Sequence, residues 1–250
     1  MRIDTSFDFR TDAFGRDPDA SSATLRRYHQ LLWSKPLPGG AMFDLDTTTP
    51  GAYLHHRSDL GEFLLASDSV IPTFTRWITL KPITTQLPEE ANEAFRTIGY
   101  TIGGMMIWPG NRVDGMMTIN GARGFYRRIA DRMDLTLECV RRHYLGQSSP
   151  LGPVLARYSQ FFALFENFSG YVEFFLLQDL VTDDDRTAVK FFLPFDDFSS
   201  PSVPRDVATY QEYRHRSIEF VQARNRRIEH LPIAQAQQES PVPQLVESSD

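Results

Sequence analysis

The stretch from Arg112 to Arg142 concentrates side chains that could bind an anion. It holds seven arginines and four acids, an excess of three positive charges in a chain whose net charge is −6. Each guanidinium presents a planar fork of N–H donors that matches a phosphate or carboxylate group. We therefore predict that a phosphate-bearing ligand, such as a nucleotide or a nucleic-acid end, binds at Arg112, Arg123 and Arg127 together with Asp131.

A network of ion pairs explains the same charges without a ligand. Glu138 with Arg142, and Arg127 with Asp131, stand four residues apart, and such pairs add roughly 0.2–0.5 kcal/mol each to an exposed helix. Exposed ion pairs rarely contribute more to stability. The sequence leaves both interpretations open, because only the packing around the arginines distinguishes a binding site from a solvated surface.

The adjacent histidines His55 and His56 are the candidates for proton transfer. A histidine titrates near neutral pH, as a general acid or base requires. On a strand the two side chains point to opposite faces, so one site cannot easily use both. An enzyme, a hydrolase or transferase acting on the phosphate-bearing ligand, is therefore the alternative function. The acids that could orient a histidine or neutralise charge in such a site are Asp59, Glu62, Asp68, Asp131, Asp134 and Glu138.

Strong catalytic signatures are absent from the sequence. It has no phosphate-binding loop ending in Gly-Lys-Ser/Thr, no dinucleotide glycine triplet, no nucleophile elbow and no His-Glu-x-x-His motif. Its six histidines show no ligand spacing, so we predict neither a metal nor a cofactor. The single cysteine, Cys139, cannot form an internal disulfide, and its place in a helical pattern predicts a small buried hydrophobic side chain.

Composition predicts one globular domain. With 250 residues, 41% of them hydrophobic, the chain can bury a sizeable core. No apolar run is long enough to span a membrane, and the first residues lack the apolar core of a signal peptide, so we expect a cytoplasmic protein. Residues 1–230 are predicted to form the domain. Residues 231–250, rich in Pro, Gln, Ser and acids, are predicted to be a disordered acidic tail.

The arginines of the central stretch are predicted to lie on one amphipathic helix from Thr118 to Gly146. At 100° per residue, apolar side chains from Ala122 to Tyr144 share one side, and most of the charges share the other. Leu135 and Cys139 lie outside the apolar stripe, so a second element is expected to cover part of the charged side.

The remaining pattern predicts an α+β fold, with a mixed or mainly antiparallel sheet from the first half packed against a mostly helical second half. A helix is expected from about 22 to 34, with Ser21 or Ser22 as N-cap. The other predicted helices are Val154–Phe168, Tyr171–Val181 and Asp206–His230. The predicted strands are Met42–Leu45, Ala52–His56, Phe74–Leu80, Ile98–Trp108, Val113–Ile119 and Ala188–Phe195.

Four segments carry a family resemblance: Leu25–Gly40, Asn111–Phe125, Arg128–Gly146 and Gly170–Val181. With them the chain resembles, from about residue 4 to 230, a bacterial family classed as a domain of unknown function. The resemblance implies a bacterial or prophage source and one continuous domain, but no activity, cofactor or catalytic residue. The implied bacterial or prophage source adds a third hypothesis for the function: a protein-interaction module, such as a toxin partner or a phage-defence component.

Overall fold

The structure, a computed structural model, describes residues 2–182 and 187–232 and has an α+β fold. A short antiparallel pair joins β1 (Lys35–Pro36) to β2 (Met42–Phe43). The main sheet is antiparallel in the order β3-β4-β5, and its strands are β3 (Leu54–Ser58), β4 (Gly61–Ser69) and β5 (Met105–Pro109). The predicted fold class is confirmed. The tail predicted at 231–250 falls, from residue 233 onwards, outside the described residues.

Helices surround this sheet. They are α1 (Pro18–Ser21), α2 (Ala23–Trp33), α3 (Lys81–Thr84), α4 (Glu89–Gly99), α5 (Ile119–Phe125), α6 (Met133–Tyr144), α7 (Gly152–Arg157), α8 (Ser159–Ala163), α9 (Phe168–Phe174) and α10 (Val207–Glu229). The Ser22 hydroxyl accepts from the Leu25 amide and begins α2, and Asp206 begins α10 through a capping box with Thr209. The first helix was predicted from a cap at Ser21 or Ser22 and from its apolar periodicity, and the last one from its apolar periodicity alone.

The single helix predicted from Thr118 to Gly146 is wrong. Helix α5 ends at Phe125 and α6 begins at Met133, with Ala130 and Asp131 between them at positive φ of 51° and 63°. Helix α6 is buried on all sides from Met133 to Val140, so its charged residues in this stretch do not form the exposed face that a simple amphipathic helix would have. A second element does cover its charged side, as Leu135 and Cys139 indicated.

Three predicted strands are also absent, each for a local reason. In Phe74–Leu80, Phe74 has a φ of 60° and its carbonyl accepts from the Trp77 amide, so the chain turns into a 3-10 helix, Ile78–Leu80. In Val113–Ile119, the Asp114–Gly115 turn precedes the Thr118 N-cap of α5. In Ala188–Phe195, only Val189 forms a bridge, with Val181, while the Phe192 amide donates to the Asp134 carboxylate.

Aromatic rings fill the core beneath the sheet. Ten of the nineteen phenylalanines lie between Phe161 and Phe198, and most of them are buried. Phe165 contacts the rings of Phe161, Phe174 and Phe175 within 5.3 Å, and Phe63 of β4 joins the cluster through Phe161. The predicted location of the core is confirmed, although its helices are shorter than Val154–Phe168 and Tyr171–Val181. Among the described residues, no helix is both long and apolar enough to cross a membrane.

Helix α10 packs closely on a glycine that lies just before β5. This contact fixes the position of the chain where it enters the strand. Gly103 lies in the 3-10 helix Ile102–Gly104, and its amide donates to Asn225 Oδ1 at 2.7 Å. A Cβ at this position would lie 2.5 Å from the Val221 carbonyl oxygen and 2.6 Å from Asn225 Oδ1. The backbone of α10 cannot yield to such a contact without moving the whole helix, so the position requires glycine.

We expect Gly103→Ala to lower the free energy of unfolding by about 1–3 kcal/mol or more, because the added methyl group overpacks the α10 contact. Gly124→Ala is the matched control, since its Cβ would meet no atom within 4 Å. In helix α5 that change should stabilise the chain by about 0.5–1 kcal/mol. Urea denaturation of both variants measures the difference, and similar stabilities for the two would contradict the packing argument.

Candidate functional site

The centre of the candidate site is the fully buried guanidinium of Arg123. Its Nη1 donates to Asp68 Oδ2 at 2.5 Å, its Nη2 donates to the Asp131 carbonyl oxygen at 2.8 Å, and its Nε donates to Thr136 Oγ1 at 3.1 Å. Asp131 Oδ1 lies 3.3 Å from Nη2, and the Trp108 ring lies beneath the guanidinium at 5.6 Å. Arg123 was predicted to lie on the charged side of the helix and to contact a ligand, and the structure places it in the interior.

The break between α5 and α6 makes this arrangement possible. The Asp131 amide donates to the Arg123 carbonyl at 3.0 Å, so the chain folds back on the last turn of α5. A continuous helix would carry Asp131 two turns away from Arg123, beyond the reach of this contact. The left-handed backbone at Ala130 and Asp131 costs free energy, which the buried contacts of Arg123 offset.

Beside Arg123 lies a group of four aspartates, which we call the carboxylate group: Asp17, Asp19, Asp68 and Asp131. Asp19 stands on α1 and Asp68 near the end of β4, so three distant parts of the chain supply these side chains. Asp19 Oδ2 accepts from the Ser69 amide at 3.2 Å, whereas its buried Oδ1 has no hydrogen-bond partner among the described residues.

Burial perturbs the acidity of these carboxyls. Desolvation, reinforced by the charge of Asp17, raises the pKa of Asp19 to about 6. Desolvation also raises the pKa of Asp68, because Arg123 offsets only part of the effect and the neighbouring carboxylates add to it. The pKa of Asp131 is raised for the same reason. Strongly perturbed carboxyls that line a cleft are typical of functional sites.

The carboxylate group lines a cleft of about 790 Å³ together with four arginines, which we call the arginine group: Arg10, Arg16, Arg76 and Arg96. Arg10 and Arg96 share Glu93, at 2.8 Å and 2.7 Å, and each also pairs with a second acid. Arg16 and Arg76 are exposed, and their guanidinium groups form neither an ion pair nor a hydrogen bond with any residue that the structure describes. These two guanidinium groups have their donors available to a ligand.

Half-buried aromatic side chains complete the cleft. Trp77 and Tyr100 line it, and the guanidinium of Arg10 stacks over the Tyr100 ring at 5.5 Å. Burial raises the pKa of Tyr100, the charge of Asp19 raises it further, and the charge of Arg76 lowers it. Asp19, Arg76 and Tyr100 all line the cleft.

The fold places some of the predicted ligand-binding residues at the cleft and the others away from it. Asp131 lines the cleft, and Arg123 lies directly behind it. Arg112 and Arg127 are exposed and do not line the cleft, so the structure does not gather the three arginines around one cavity. Sequence reasoning missed the arginine group, because its members are scattered over 87 positions in segments that no motif marks.

The side chains of His55 and His56 make packing and hydrogen-bond contacts within the fold. The predicted alternation holds, yet both rings are buried because both faces of β3 are covered. His55 Nδ1 is hydrogen-bonded to Thr49 Oγ1 at 2.8 Å, and its Nε2 lies 2.7 Å from Glu62 Oε1. The ring of His56 packs on Phe43 at 4.2 Å, and burial lowers its pKa. Neither histidine lines the cleft.

Other charges of the arginine-rich stretch are also paired internally. Glu138 binds both Arg141 and Arg142 at 2.7 Å, so the predicted pair with Arg142 is confirmed. The predicted pair of Arg127 with Asp131 is wrong, because Asp131 turns towards Arg123. Arg132 and Asp134 form a fully buried pair. Of the two acids of α6 that the sequence offered for an enzyme site, Asp134 accepts from the Phe192 amide and so ties α6 to that segment, whereas Glu138 pairs within α6 itself.

Cys139 is buried, as predicted, and burial raises the pKa of its thiol to about 12. It therefore stays a neutral thiol at physiological pH and packs as a small hydrophobic side chain. Among residues 2–182 and 187–232, no three His, Cys, Asp or Glu side chains are grouped in a way that could hold a metal ion.

Comparison with protein families gives one match. A family described as a family of unknown function (DUF6994) matches residues 3–228, nearly the whole chain, and the chain belongs to this family. Comparisons with curated proteins and with solved structures found no match. The family membership confirms that the resemblance read from the sequence extends over almost the full length.

We expect Arg123→Met to lower the free energy of unfolding by about 1–3 kcal/mol, because it leaves the half-buried Asp68 and Asp131 carboxylates without their cation. Arg127→Met is the matched control on the same stretch. Its side chain is exposed, so the change should stay within about 0.5 kcal/mol. Chemical denaturation measures both, and equal losses would contradict the assignment of Arg123 as the internal cation.

We expect Asp19→Asn to stabilise the chain at alkaline pH. The carboxyl binds its proton more tightly in the folded chain, with a pKa of about 6, than in the unfolded chain, where it is about 3.9. The ionised form therefore destabilises the fold, increasingly as the pH rises from about 4 to above 6. The asparagine removes this cost and keeps an acceptor for the Ser69 amide.

Urea denaturation should show a gain on the order of 1–3 kcal/mol for Asp19→Asn at pH 8, which shrinks towards zero near pH 4. Asp114→Asn, at an exposed turn outside the cleft, is the control. A stability gain of the same size at both pH values would show that the ionisation of Asp19 is not its cause.

Proposed function

We propose that this member of the DUF6994 family binds a phosphate-bearing small molecule in the cleft between the arginine and carboxylate groups. One observation carries the proposal: Arg16 and Arg76 line the cleft and have no acidic partner among the described residues. A phosphate accepts several charge-assisted hydrogen bonds, and guanidinium groups supply donors in the matching geometry. The cleft volume of about 790 Å³ suits a small molecule.

Arg10 and Arg96 support the two unpaired arginines. Their shared contact with Glu93 holds both side chains in position, so little rotamer freedom is lost when a ligand arrives. Trp77 and Tyr100 offer ring surfaces on which a base or a sugar could stack. This combination favours a nucleotide within the class of phosphate-bearing ligands. The net charge of −6 favours a small ligand over a nucleic-acid end.

The site differs from the one predicted from the sequence in which arginines contact the phosphate. Arg123 donates hydrogen bonds to Asp68, Asp131 and Thr136, so it supports the wall of the cleft from the interior of the protein. Arg112 and Arg127 lie outside the cleft. The cytoplasmic location and the bacterial or prophage source remain part of the proposal, supported by the sequence pattern alone.

A hydrolase or transferase acting on the same ligand is the second candidate, favoured by the pKa of about 6 for Asp19. A carboxyl that titrates near neutral pH can serve as a general acid or base. The proton carrier would then be a cleft aspartate, in place of His55 or His56. Product formation from a nucleotide that persists fully in Asp19→Asn would exclude this role.

A thermal-shift panel of inorganic phosphate, pyrophosphate and nucleotides tests the binding proposal. At a concentration of 100 Kd, a ligand should stabilise the folded chain by about 2.7 kcal/mol and raise Tm. Arg76→Ala should abolish the shift, since it removes an unpaired guanidinium from the cleft. Arg112→Ala and Arg127→Ala are matched controls and should keep it. A shift lost in these controls and kept in Arg76→Ala would favour the site predicted from the sequence.

A further inference from the structure

A second cavity opens beside the cleft, and we call it the adjoining cavity. Its volume is about 480 Å³, and its walls share Thr75, Arg76 and Arg96 with the cleft. Arg96 is bound to Glu89 and Glu93, whereas the guanidinium of Arg76 contacts no acid among the described residues. An anion bound to Arg76 therefore lies where the two spaces meet, with room for further ligand atoms in either direction.

The two spaces offer different contacts to a ligand. Trp77 and Tyr100 line the cleft, whereas no aromatic side chain of the described residues lines the adjoining cavity. Polar groups line that cavity instead. The Thr85 hydroxyl donates to a backbone carbonyl of α3 and keeps its acceptor sites, and Glu89 accepts from Arg96 through Oε1 and keeps Oε2 for another donor. Hydroxyl and carboxylate oxygens accept hydrogen bonds, so a group rich in hydroxyl donors complements this wall.

We propose that the ligand is a nucleoside diphosphate esterified to a sugar, with the nucleoside in the cleft, the diphosphate at Arg76 and the sugar in the adjoining cavity. This inference rests on the proposed function and adds the far half of the ligand. Each phosphate of such a diester carries a single negative charge, so the two phosphates match the unpaired guanidinium groups of Arg16 and Arg76 in number. The volume of about 480 Å³ lies within the range of about 300–1,000 Å³ that is typical of small-molecule sites.

The lining of the adjoining cavity selects against other groups on the same diphosphate. A second nucleoside would bring a base into a space that has no ring to stack on. A hydrocarbon chain would cover the acceptors of Thr85 and Glu89 and offer them no donor, and burying an unpaired acceptor is costly. A free diphosphate would leave the cavity to water. The hydroxyls of a sugar donate to these acceptors, so the cavity gives specificity for that half of the ligand.

Calorimetric titration of the full chain tests the inference with uridine and adenosine diphosphates, each as a methyl ester and as glucose, galactose and N-acetylglucosamine esters of the same charge. A sugar ester should bind at least about tenfold more tightly than its methyl ester, which corresponds to about 1.4 kcal/mol. In Thr85→Phe the added ring fills the adjoining cavity, so this ratio should fall to one or below while the methyl ester binds as before. Gln86→Phe, exposed and outside both spaces, is the matched control and should keep the ratio.

Binding of the methyl esters separates the two proposals. If neither the diphosphates nor their esters bind, the proposed function fails, and the sugar assignment fails with it. If the methyl esters bind and lose affinity in Arg76→Ala, but no sugar ester binds more tightly than its methyl ester, the phosphate site stands and the sugar assignment is wrong. A diadenosine diphosphate that binds more tightly than every sugar ester would place a second nucleoside in the adjoining cavity. A sugar gain that persists in Thr85→Phe would place the sugar elsewhere.

Discussion

The buried contact of Arg123 with Asp68 and Asp131 is the interaction on which the rest of the site depends. It ties the end of β4 to the break between α5 and α6, and it holds two carboxylates at the edge of a cleft. A buried guanidinium is tolerated only where several acceptors surround it. Here a carboxylate, a backbone carbonyl and a hydroxyl accept hydrogen bonds from the guanidinium of Arg123. The path of the chain around Arg123 therefore brings these three acceptors together.

Two further buried arginines show the same principle elsewhere in the fold. Arg224 donates to the carbonyls of Gly103, Met105 and Phe175 and stacks over Trp33 at 5.6 Å, and burial lowers its pKa to about 10. Arg132 pairs with Asp134 beneath Tyr213. The buried arginines therefore connect elements inside the protein. The arginines available to a ligand are those whose guanidinium groups make no such internal contacts.

The cleft combines rigidity with unfavourable electrostatics. Aromatic packing and α10 fix the framework, whereas burial makes the ionised forms of Asp19 and Asp68 costly and raises their pKa. A solvated surface would relieve such a cost by exposing the carboxylates to water. Their persistence in a half-enclosed space beside unpaired arginines distinguishes this cleft from the ion-paired surface that the sequence also allowed.

The sequence by itself determined the fold class, the capped helices that follow Ser22 and Asp206, the aromatic core after Phe161 and the buried Cys139, because these features depend on local patterns of polarity and capping. Only the tertiary structure decided which arginines face inward. Leu135 and Cys139 indicated that part of the charged side of α6 is covered, but helical periodicity could not reveal that the chain breaks at Ala130. The cleft joins Arg10 to Asp131, and such long-range pairing of charges leaves no local signal in a single sequence.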